Sequence, residues 1–125
     1  MRRQIIAGAL AAASILGMAA PALAQGQSCF FITQWHGWKA ADDHTVYINV
    51  DPHKIYRLDM SGACPALLDP ASHLITNNHS SSICSALDWD LRVSEGHGFV
   101  TGCIVDKMTL LTPDQAAALP RKLRP

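Results

Sequence analysis

Two short stretches hold most of the side chains in this sequence that could do chemistry. Trp35-His36-Gly37-Trp38 sets an imidazole between two indoles, around a glycine that allows a turn or a bulge. Two such rings can stack on a sugar, a peptide or another flat ligand. They can also cap one end of a small core, the commoner use of large aromatics. Asp42-Asp43-His44 follows closely. Two carboxylates and an imidazole in three residues are a donor set for a metal ion, or the parts of an acid–base pair. Adjacent aspartates also serve solvated turns, where a side-chain oxygen caps the backbone. The β-prone run that begins at Thr45 makes that role natural here. Trp35, His36, Trp38, Asp42, Asp43 and His44 are therefore the candidate ligand surface. No catalytic residue, metal site or cofactor is assigned.

Other chemistries lack their spacing. The six histidines stand at positions 36, 44, 53, 73, 79 and 97, with no H-E-x-x-H and no pair four residues apart. There is no G-x-S-x-G, and Ser80-Ser81-Ser82 has the composition of a loop. Gly96-His97-Gly98 reads as a turn, not as a phosphate-binding loop. The expectation is a protein that is not an enzyme.

Cys29, Cys64, Cys84 and Cys103 carry the remaining reactive groups. No C-x-x-C pair exists, so neither a zinc–thiolate site nor a redox dithiol is expected. An even count in a small exported chain reads as two disulfides, for which three connectivities are possible. The expected one joins Cys29 to Cys103, tying the opening strand to a late one. Cys64 to Cys84 then closes the middle segment.

Export is read from the N-terminus. Met1-Arg2-Arg3-Gln4 is basic, Ile5 to Ala20 is apolar, Pro21 breaks any helix, and Ala22-Leu23-Ala24 is a small-x-small cleavage pattern. The apolar run is short and alanine-rich for a span of ~20 residues, so removal after Ala24 is expected. That leaves residues 25–125 as a single domain. Gln25 to Ser28 separate the cut from Cys29, which argues against a lipid anchor. Acidic and basic residues balance at 10 each. Losing Arg2 and Arg3 tips the remainder to a net −2. That charge suits neither nucleic acid nor an anionic membrane surface. The expected location is the periplasm, with the extracellular space second, and no membrane insertion follows removal of the signal.

The elements that must position these groups are mostly strands. Cys29 to Thr33 is an apolar, β-prone opening. Thr45 to Val50 is β-branched, with Val46, Ile48 and Val50 on one face. Ile55 to Met60 places Tyr56, Leu58 and Met60 together, and Asp51-Pro52-His53-Lys54 joins the two runs as a hairpin. His73 to Thr76 is a further strand. Asn77 to Ser82 is a polar loop. Leu87, Trp89, Leu91 and Val93 alternate with Asp88, Asp90 and Arg92, the pattern of a half-buried strand. Phe99 to Leu111 supplies one strand or two. Thr112-Pro113-Asp114-Gln115 opens a short helix with a capping box, and Pro120 ends it before a basic tail expected to fray. The fold class is mainly β: a small antiparallel, barrel-like sheet of about five to seven short strands with a C-terminal helix. A sandwich is the alternative.

Cys29-Phe30, Trp38 with Asp42-Asp43-His44-Thr45-Val46-Tyr47, Tyr56-Arg57-Leu58-Asp59-Met60-Ser61-Gly62-Ala63-Cys64-Pro65, Ile83-Cys84, Cys103-Ile104-Val105 and Leu111-Thr112-Pro113 together carry a resemblance. The chain resembles a group of small exported proteobacterial proteins classed as a domain of unknown function. That resemblance implies export and two disulfides, and brings no activity or catalytic residue with it. Three function classes follow. The first is a non-enzymatic module that binds an envelope protein or ligand. The second is an inhibitor of a secreted hydrolase, presenting the Asn77–Ser82 or the Trp35–Trp38 loop. The third is a metal-binding or enzymatic protein built on His36 and Asp42–His44.

Overall fold

β-branched and aromatic residues dominate the segments that pair. The computed structural model describes residues 29–125 apart from Pro52 and residues 78–80. The expected signal segment, residues 1–24, lies outside the described residues. Nine strands form three antiparallel sheets among those residues: β1 (Phe30–Phe31), β2 (Trp35–Ala40), β3 (Thr45–Val50), β4 (Lys54–Met60), β5 (His73–Thr76), β6 (Ser82–Ile83), β7 (Leu91–Ser94), β8 (Val100–Cys103) and β9 (Val105–Leu110). The largest sheet has the order β2-β3-β4-β9, a second β5-β7-β8, and β1 pairs with β6 alone. None closes on itself. The mainly β, antiparallel fold with two disulfides stands, but as open sheets around a shared core, and with more and shorter strands than expected.

The β3–β4 hairpin is the centre. Its register runs from Thr45 opposite Asp59 to Val50 opposite Lys54. In β4, Tyr56, Leu58 and Met60 are buried while Arg57 points out, as the alternation requires. In β3 burial extends to both faces, Tyr47 included. One cluster joins Val46, Ile48, Val50, Tyr56 and Leu58 to Leu91, Val93, Phe30 and Ile83, so all three sheets contribute to the core. Phe30 links the small sheet to it through ring contacts of 5.1 Å to Tyr56 and 6.1 Å to Trp89.

The long apolar run from Phe99 breaks at Ile104 for a topological reason. Cys103 lies opposite Leu91 in one sheet, and Val105 lies opposite Met60 in another. The chain crosses between sheets there, and the Ile104 carbonyl accepts from the Ser61 N–H at 2.9 Å.

Several expectations are corrected. The disulfides join Cys29 to Cys84 and Cys64 to Cys103, not Cys29 to Cys103 and Cys64 to Cys84. Register decides both. Phe30 pairs with Ile83, which sets Cys29 opposite Cys84. The Ser61–Ile104 bond brings the chain after β4 beside Cys103. Leu87 belongs to no strand: it tops a 3-10 turn over Ala86–Asp88 and is 94% exposed, while Trp89 and Leu91 carry the burial. Trp35–Trp38 is no loop. It is the first four residues of the six in β2, with a bulge between Trp35 and Gly37. The C-terminal helix α1 (Pro113–Ala118) carries its full capping box on Thr112 and Gln115. The basic tail folds back where fraying was expected. Arg121–Leu123 forms a 3-10 turn against β2, and Arg124 donates to the Leu119 and Ala117 carbonyls at 2.9 and 2.8 Å.

Candidate functional site

β2 and the turn that follows it hold every residue of the candidate surface. Trp35 is used in packing. Its ring meets Trp89 edge-on at 5.8 Å, and its indole N–H donates to the Gly37 carbonyl at 3.0 Å. A T-shaped pair of this kind adds ~0.5–1.5 kcal/mol beyond burial, so this indole serves the core. His36, next along the strand, is exposed. Trp38 lies opposite Ile48 and is half-buried.

The turn over residues 41–44 is held by its backbone. The Ala41 N–H donates to the Thr45 carbonyl at 2.8 Å, the Met60 N–H to the His44 carbonyl at 2.7 Å, and the Cys64 N–H to the Asp43 carbonyl at 2.8 Å. The Asp42 carboxylate accepts from the His44 N–H at 2.8 Å, as an Asx turn does. That bond holds the Asp42 carboxyl below its ordinary value. The Asp43 carboxylate takes the Nδ1–H of His44 at 2.7 Å. An ionised carboxylate only accepts, so the neutral ring keeps its proton on Nδ1 and presents the Nε2 lone pair outward.

Asp42, Asp43 and His44 bring their donor atoms within 4.8 Å of one another. They could each give one ligand to a divalent ion. His36 stands outside this group. The three sit on an open surface with Asp42 and His44 exposed.

Trp38 has a different setting. With Lys39 and Ala40 it lines one side of a groove of about 380 Å³, whose other side is Leu67, Leu68, Asp69, Pro70 and Ser72. The 3-10 turn Pro65–Leu68 positions that second side. It buries Leu67 and leaves Leu68 57% exposed at the rim. The Ser72 hydroxyl oxygen is buried without a hydrogen-bond partner. From sequence, residues 66–72 read as loop or a single turn; the turn is there at Pro65–Leu68, but nothing in that reading makes it a wall. The available signal was Leu67-Leu68 between two prolines, an apolar pair that a solvated loop does not need.

The arrangement defines a class: a small, disulfide-stapled, antiparallel β domain whose Asp42–His44 donor set lies in a surface turn and whose half-buried indole lines a groove. The particular family follows from the sequence. Residues 1–125 match the model of the family of unknown function DUF6491, and the chain belongs to that family. No curated protein and no solved structure matches the chain.

Proposed function

We propose that this chain is an exported, non-enzymatic binding module that takes an envelope protein or ligand in the groove at Trp38. The groove carries the reading. It combines an indole face, an exposed leucine rim and one charge of each sign, from Lys39 and Asp69. Recognition sites join apolar surface to a few convergent polar groups, and here Lys39, Asp69 and Ser72 stand beside the indole and the leucines. The two disulfides fit an oxidising compartment such as the periplasm or the extracellular space. Among the described residues no helix is long and apolar enough to cross a membrane. The enzymatic reading has less support, because the Asp42–His44 turn is exposed and its backbone and carboxylates are already engaged in holding the turn.

Affinity capture from a periplasmic extract tests the proposal, with Trp38→Ala run beside the native protein. The native protein should retain a species that Trp38→Ala loses while keeping its far-UV CD spectrum. Equal retention by both would refute the groove. Elemental analysis of the same samples tests the metal reading: stoichiometric metal lost in Asp43→Ala would favour it.

A second reading, an inhibitor of a secreted hydrolase, has one observation of its own. Leu87 projects from a turn clamped by the Asp88 carboxylate, which accepts from the Cys84 and Ser85 N–H groups at 2.8 Å each. Loss of inhibition in Leu87→Ala would be its signature.

A further inference from the structure

The edges of the sheets are protected unequally. In the four-stranded sheet the tail turn Arg121–Leu123 lies against β2, and the Ala86–Asp88 turn lies against β9. β8 also ends its sheet, and its main contacts run inward to β7. Its backbone polarity follows from one bond. The Glu95 N–H donates to the Phe99 carbonyl at 3.1 Å. Antiparallel ladders alternate, so Thr101 and Cys103 bond toward Val93 and Leu91. Val100 and Gly102 then turn their N–H and C=O groups away from the sheet, a row of two donors and two acceptors.

Natural edges are blunted by lysine, proline, a bulge or a cover. None of the first three occurs here. The segment Phe99-Val100-Thr101-Gly102-Cys103-Ile104 carries no charge and no proline, and the β7–β8 register runs without a shift. Phe99 is 70% exposed, Val100 52% and Ile104 73%. Space beside Gly102 is open: a Cβ there would meet nothing within 4 Å.

We propose that β8 pairs antiparallel with β8 of a second copy of this chain, about a two-fold axis through Thr101. The outward groups select this register. Val100 of each copy then exchanges both hydrogen bonds with Gly102 of the other. The side chains fit the same register. Each valine lies over the vacant Cβ position of the opposing glycine, twice by symmetry. Thr101 faces its own copy and Phe99 meets Cys103, while Ile104 lies beyond the pairing, its carbonyl held by the Ser61 N–H of its own chain. The absence of charge along the edge means that no like charges are brought together. The result is a continuous six-stranded sheet. A pairing this short buries well under the ~1,600 Å² of a standard stable interface, so the dimer belongs to the weak, concentration-dependent class.

Sedimentation velocity on the oxidised protein, from micromolar to low-millimolar concentration, reads the association directly. The weight-average mass should climb from one chain toward two. Val100→Lys places a charge at the seam, and Gly102→Pro removes an outward N–H that the β7–β8 ladder does not use. Each should weaken association at least about tenfold while leaving the far-UV CD spectrum native. Thr101→Cys adds an orthogonal readout. Cα atoms of a non-hydrogen-bonded antiparallel pair stand ~4.5 Å apart, within disulfide reach, so mild oxidation should give a covalent dimer through the introduced thiols. A mass of one chain at every concentration overturns the proposal. So does a dimer that both Val100→Lys and Gly102→Pro leave intact.

Discussion

Replacing Cys64 and Cys103 together with alanine removes the bridge between the end of β4 and the end of β8. The chain-entropy estimate depends on the separation of 39 residues between them. It gives ~13 cal/mol/K of lost denatured-state restraint, or ~3.9 kcal/mol at room temperature. The other bridge, with a separation of 55 residues, comes to ~4.2 kcal/mol on the same footing. The two loops interleave, since Cys64 lies inside the first and Cys103 outside it. A denatured chain that keeps one bridge is already restrained, so ~3.9 kcal/mol is the upper end for a single removal. Burial adds little, because alanine retains the Cβ of two cysteines that are already inside. The expected loss is ~3–4 kcal/mol, which for a domain of this size lowers Tm by roughly 12–30 °C. Urea unfolding followed by far-UV CD, compared with the oxidised native protein, measures it. A loss below ~1 kcal/mol would refute the reasoning, because so small a value is not the release of a long denatured loop. Non-reducing peptide mapping checks the premise: a Cys29–Cys103 peptide would contradict the register argument at both bridges.

Three further outcomes test other parts of the fold. Leu58→Ala opens a cavity at a fully buried position in the central hairpin. It should cost ~2–5 kcal/mol in urea or thermal unfolding. Gly96 and Gly98 both have positive φ, 73° and 87°. Alanine at Gly98 meets only the left-handed backbone penalty of ~1–2 kcal/mol. Alanine at Gly96 should cost more, since its Cβ would lie 3.2 Å from that of Ala71. The third concerns acid. Asp42 is held below its ordinary value of 3.8 by the His44 N–H, and Asp88 likewise by the Cys84 and Ser85 N–H groups. A lowered folded-state value means that the contribution is complete above the unfolded value and fades as pH falls through the folded one. Stability should therefore drop below about pH 4, and the double variant Asp42→Asn/Asp88→Asn should flatten that acid limb. An unchanged slope in the variant would assign the acid sensitivity to other groups.

Local patterns reached the structure where they depended on neighbours in sequence. The β3–β4 hairpin was legible because alternation and a turn-forming Asp51-Pro52 act within a few residues. The helix start was legible because Thr112 and Gln115 satisfy each other across three residues. Leu87 misled because apolar alternation records what can be buried, and the turn held by Asp88 takes that side chain outside. The Asp42–His44 cluster was visible as a donor set. Its turn role was legible too, since the Asp42 carboxylate caps the His44 N–H two residues on; the anchoring of the turn's carbonyls by the distant Met60 and Cys64 N–H groups was not.

The sequence by itself determined a mainly β, twice-stapled domain with one capped helix, and it marked the six polar and aromatic residues around β2. Those follow from composition, alternation and side chains that act on their own backbone. Only the tertiary structure decided which cysteines meet, since that rests on a two-residue pairing of β1 with β6 and on a crossing at Ile104. Propensity carries no signal for either. It also decided what each indole meets. Trp35 and Trp38 are equivalent in the sequence and both pack against the core, but Trp35 meets Trp89 there and Trp38 also lines the groove formed with the Leu67–Ser72 segment.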